Sequence, residues 1–134
     1  MTFLLAVERK HRVLKAKAIG VIASQDLIDL DMSSIGVLSR EESADRPLYR
    51  ALYDFSEVAG IAVPKTRAAA RGSQSPVIRG LRVMVQSGAI DCSVVETLVH
   101  SQRLAGDNRL MVVDSLVEAY ALLGLYSPNF EAIG

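Results

Sequence analysis

Three sets of residues in this chain are of a type that does chemistry. The first is Asp54 and Ser56, in the stretch from Arg50 to Ser56 that reads Arg-Ala-Leu-Tyr-Asp-Phe-Ser. Ala51, Tyr53 and Phe55 alternate there, which predicts a strand with one packed face. Asp54 and Ser56 then fall at its carboxyl end, the edge where open α/β sheets place ligands. No histidine or lysine close in sequence activates Ser56, so the pair reads as hydrogen bonding to the following loop or as a contact, not as a nucleophile. The second is Cys92, just before a predicted helix, where exposed amides favour thiolate while Asp91 beside it opposes it. A packed, unreactive cysteine is the ordinary reading. The third is His11 and His100, too few and too far apart to hold a metal with Cys92. Gly60, Gly72 and Gly80 match no phosphate-binding loop. No catalytic residue, no metal ligand and no cofactor is expected, and the chain does not read as an enzyme.

Charge is distributed more tellingly. From Ile61 to Ile90 every charged residue before Asp91 is basic: Lys65, Arg67, Arg71, Arg79 and Arg82. Asp26, Asp29, Asp31, Glu41, Glu42 and Asp45 bias the preceding segment the other way. Arg67 and Arg71, four apart, share one side of a predicted helix. This is a solvated face, or a docking surface for an acidic partner, a second copy of the chain included. With Asp54, Ser56 and Thr66, the residues Lys65, Arg67 and Arg71 make up the candidate partner surface. The net formal charge is zero and tryptophan is absent, which argues against nucleic acid as a partner. Half the residues are hydrophobic, and Met32, Met84 and Met111 read as core filling or as the adaptable lining of a ligand site. The alternative partner is therefore a lipophilic small molecule held between helices and sheet.

The elements that position these residues follow from periodicity. Phe3 to Val7 and Val13 to Ile19 alternate around the charged turn from Glu8 to Arg12, predicting a hairpin. Ser24 caps a helix whose apolar residues include Leu27, Ile28, Ile35 and Leu38, with a bend at Ser33, Ser34 and Gly36. After the strand over 50–56, residues 57–63 read as loop. Pro64 opens a short helix through Arg71, and Gly72 terminates it. Leu81 to Val85 is a strand, and Ser93 with Glu96 opens a helix. Leu110 to Val113 is the fifth strand, and Ser115 with Glu118 opens the last helix, closed by Gly124. Alternating strands and helices imply parallel pairing with right-handed crossovers. Polar residues at Lys15, Lys17, Arg50, Asp54, Arg82 and Gln86 leave one sheet face less covered. The expected fold is α/β: a hairpin followed by βα units, a five-stranded mixed sheet, helices mainly on one face. Residues 1–126 form the single domain and 127–134 a tail, an arrangement in keeping with a chain of 134 residues.

A single cysteine excludes an internal disulfide and fits a reducing compartment. The first residues carry no basic lead-in or small-residue cleavage site, and no apolar run approaches bilayer length. A cytoplasmic address and no membrane span are expected.

In its order of elements the sequence resembles the SpoIIAA-like, or STAS-like, bacterial domains related to anti-sigma-factor antagonists. The hairpin leading to Gly20 and a helix opening near Ser24 are similar to the family's start. The run Tyr53, Asp54, Phe55, Ser56, Glu57, Val58 resembles its central strand, and Leu110 to Gly124 resembles its closing strand and helix. The likeness spans about residues 3 to 125. It implies a regulatory or protein-interaction domain without enzymatic activity. Phosphorylated members carry an Asp-Ser-Ser-Gly-like turn after the central strand. This chain has Ala62, Val63, Pro64, Lys65 and Thr66 there, so the phosphoserine switch does not carry over. The divergent lipid- or small-ligand-binding relatives, and the many members of unknown role, are the closer comparison.

Overall fold

The alternation at the start of the chain produces the hairpin it predicts. In the computed structural model, which describes residues 2–88 and 93–133, Thr2–Glu8 (β1) and Val13–Ala23 (β2) pair antiparallel, Thr2 opposite Ile19 and Glu8 opposite Val13. Arg12 supplies the positive φ that an Asn-Gly turn would otherwise provide. Next come Ser24–Ser39 (α1), a 3₁₀ turn at Arg46–Leu48, and Arg50–Ala62 (β3). Lys65–Gly72 (α2), Arg82–Val85 (β4), Ser93–Leu104 (α3), Leu110–Val113 (β5), Leu116–Leu123 (α4) and Glu131–Ile133 (β6) complete the chain. The sheet runs β5-β4-β3-β2-β1-β6, with β2 to β5 parallel and β1 antiparallel to both its neighbours. This is an α/β fold on a mixed sheet.

The sheet has six strands, not the five expected. The sixth comes from the segment read as a tail: Leu5 pairs with Ile133 and Val7 with Glu131, covering the outer edge of β1. Residues 57–62, read as loop, prolong β3 because β2 also runs on and pairs with them, Gly20 beside Val58 and Ile22 beside Ile61. Helix α1 passes through Ser33, Ser34 and Gly36 without ending. Its cap is Ala23 rather than Ser24, and the Ala23 amide donates to the Asp26 carboxylate at 2.7 Å. The last helix behaves as predicted: the Glu118 amide donates to Ser115 Oγ, and Gly124 closes the helix with a φ of 66°.

Both faces of the sheet are packed. Leu14, Ala18, Ala51, Phe55, Met84 and Leu110 look toward α1, α2 and α3. Val13, Leu52, Val83 and Val85 look the other way and are covered by Ala119 and Leu123 of α4 with Leu125. Three helices therefore share one face, and the fourth covers the opposite side of the inner strands. The central strands carry most of the core, since burying a leucine such as Leu14 or Leu52 contributes roughly 2–3 kcal/mol. Gly72 has a different task from the terminator it was expected to be. A Cβ there would lie 2.6 Å from Ser101 Cβ and 2.7 Å from the Leu98 carbonyl oxygen, so only glycine lets α2 seat this closely on α3.

Candidate functional site

Helix α2 lies tightly on α3, but its backbone keeps its distance from α1. The space left over, bounded below by the sheet, is a cavity of about 90 Å³. Its apolar walls come from all three helices and the strands, among them Leu30, Val63, Ala68, Met84, Val95 and Leu98. At ~10–15 Å³ per water-sized group, it has room for roughly six to nine heavy atoms. A second hollow outside the α1–α2 seam shares Leu27, Val63, Arg71 and Gln74 with the first. The side-chain bond between the two helices is the bidentate pair of Arg71 with Asp31, at 2.7 and 2.8 Å.

Besides the Arg71–Asp31 pair at the seam, polar side chains from the sheet and α3 line this space. Arg82, on β4, is 2% exposed and points into the helix-covered side. Its guanidinium donates to the Ile78 carbonyl at 2.8 Å, to Asp107 at 2.6 Å and to Gln102 Oε1 at 3.3 Å. Burial alone would raise the Asp107 carboxyl, but the Arg109 amide and the Arg82 guanidinium outweigh it and hold it below its ordinary 3.8. Tyr53 stands on the same face, in the first half of β3, and lines the cavity. Its hydroxyl has no hydrogen-bond partner among the described residues. Burial pushes this phenol up to about 12, with Arg82 and Arg71 pulling it down and Asp31 pushing it up. It is therefore a neutral donor at physiological pH.

A folded-state pKa above the unfolded one makes a stabilising contribution that is whole below pH 10 and lost as the pH rises through about 12. Subtracting the tyrosinate absorbance titration of Tyr53→Phe from that of the native chain is expected to leave a single step near pH 12. A step near the ordinary tyrosine value would show Tyr53 in contact with bulk water.

The structure separates the residues expected to form one partner surface. Asp54 is 1% exposed and lies inside β3, well short of the strand's end, because β3 continues to Ala62. Ser56 donates to its carboxylate through both the hydroxyl, at 2.5 Å, and the amide, at 3.1 Å. Alternation puts this pair on the α4 side of the sheet, whereas α2 lies on the other. Lys65, Thr66 and Arg67 are exposed on α2, while Arg71 is tied to Asp31. Of the three methionines, Met84 lines the cavity, but Met32 and Met111 face solvent. His11 pairs with Glu8, and His100 is exposed late in α3. Cys92 and Asp91 lie outside the described residues.

Sequence reasoning missed Tyr53, Arg82 and Gln102 as a group. Arg82 read as the mark of an open sheet face, and its register opposite Ala51 places it on the face packed by α1, α2 and α3. A lone arginine within an apolar strand, with an acid some two dozen residues on, was the available signal. Compared with known proteins, the chain matches no family model and no curated sequence.

Proposed function

We propose that this chain is a non-enzymatic binding domain that takes up a small, mainly apolar molecule between its helices and its sheet. The observation that carries this reading is the cavity beside the loosely closed α1–α2 seam. Protein interiors pack to crystal density, and voids larger than a water are few. An apolar space for several heavy atoms, opening toward an outer hollow at a seam bridged by the Arg71–Asp31 pair, has the form of a small-ligand site. The resemblance to STAS-like domains with small ligands supports the same reading, as does the hairpin followed by βα units. A cytoplasmic address belongs to this proposal; among the described residues no helix is long and apolar enough to cross a membrane. Native mass spectrometry of the freshly purified chain tests it. An adduct of small-molecule mass that disappears on unfolding is expected. A chain that stays free when offered short-chain apolar compounds at millimolar concentration would count against it.

The regulatory interaction domain implied by the resemblance is the second reading, and one observation favours it. Ile28, Met32 and Ile35 stand exposed along one side of α1, and Lys65 and Arg67, exposed on α2, have no ion-pair partner among the described residues. A partner with an acidic surface, or a second copy, fits those cations. Sedimentation of the native chain against Lys65→Glu with Arg67→Glu reads self-association directly, and identical values for a monomer in both would remove the second copy.

A further inference from the structure

The polar groups that the sheet and α3 bring to the cavity say what kind of head group its ligand carries. Gln102 is 8% exposed and lines the cavity. Its Oε1 accepts from Arg82, which fixes the amide so that Nε2, a donor, is turned away from that bond. Neither Nε2 nor the Tyr53 hydroxyl has a partner among the described residues, and neither is sealed from the surrounding space. Two donors that face a largely apolar cavity without a protein partner offer a ligand acceptor the hydrogen bonds it gives up on leaving water.

The local charge decides between the acceptors available. Arg82 is matched by Asp107 and Arg71 by Asp31, so both cations are already neutralised. A carboxylate entering this space would be an uncompensated buried charge, which is costly, whereas a neutral carbonyl is not. An amine or other donor-only head would meet donors and repel them. Resting on the binding reading above, we infer that the ligand is a short neutral carbonyl compound: a ketone, ester or amide with an apolar remainder of a few carbons. Its oxygen accepts from Tyr53 and Gln102, and its chain lies among Val63, Ala68, Val95 and Leu98.

The test uses 2-hexanone, hexanoate and xenon, each titrated into the methyl-labelled native chain and into Tyr53→Phe, with shifts of the cavity-lining methyls as readout. The native chain is expected to bind 2-hexanone more tightly than hexanoate at neutral pH. Tyr53→Phe is expected to weaken 2-hexanone by about 3- to 10-fold, the span of one net hydrogen bond, and to leave xenon unchanged. In the native chain the labelled carbonyl carbon of bound 2-hexanone should stay near its aqueous, hydrogen-bonded position. Tighter binding of hexanoate, an unchanged 2-hexanone affinity in Tyr53→Phe, or an upfield carbonyl shift toward the hydrocarbon value each overturns the head group while leaving the site. Failure of xenon to enter the native chain overturns the site itself.

Discussion

Replacing Arg82 with methionine is expected to lower the unfolding free energy by about 3 kcal/mol, read from the urea midpoint at an unchanged slope. Methionine keeps most of the volume and removes the charge. Asp107, Gln102 and the Ile78 carbonyl then lose their shared donor inside the helix-covered side of the sheet. Breaking a buried pair costs roughly 3–5 kcal/mol, and the low end applies because Asp107 keeps some contact with water. Adding Asp107→Asn to Arg82→Met should recover part of the loss, since the abandoned charge goes with it. The same pair sets an acid limb. Asp107 titrates below 3.8 in the fold, so its contribution is present above that pH and lost as the pH falls through the depressed value. Arg82→Met should lack the Arg82-dependent part of that decline. A cost below about 1 kcal/mol would show that Arg82 is no anchor.

Ala68→Leu is expected to abolish uptake of short apolar compounds, weakening them by more than about 10-fold, without unfolding the chain. Ala68 is buried on α2 and lines the cavity. Leucine is a good helix former, and its three added carbons fill space rather than displace neighbours. Filling a void of this kind commonly adds about 0.5–2 kcal/mol of stability. Thr66→Leu, on the exposed side of the same helix, is the control and should bind as the native chain does. The pairing of gained stability with lost binding separates a ligand site from a packing defect. Ala68→Leu that binds normally would place the ligand elsewhere.

The hairpin, the alternation of strands and helices and the closing helix were legible because each is a local pattern. Ser115 and Glu118 cap α4, Gly124 ends it, and the period of two in Val13 to Ile19 is the period of β2. The prolongation of β2 and β3 was hidden by the register shifts between Lys17 and Ile19 and between Gly20 and Val21, which break the alternation a reader follows. β6 is three residues long and gains its form from pairing with β1, a contact more than a hundred residues away in sequence. The cavity was illegible for the same reason, as its walls come from segments between Ile22 and Leu110. Charge segregation was visible, but its meaning was not: Arg71 of the basic helix answers Asp31 of the acidic one inside the same chain. Asp54 and Ser56 were visible as a pair, yet they satisfy one another on the far side of the sheet.

The most direct measurement is a methyl-resolved NMR spectrum of the native chain under xenon pressure, since an apolar cavity admits xenon without any head-group contact. A ligand cavity in this place predicts shifts at Val63, Val95 and Leu98, with Val13, Leu52 and Val83 on the α4 side unmoved. Shifts confined to Ile28 and Ile35 on the outside of α1, or none at all, would contradict it.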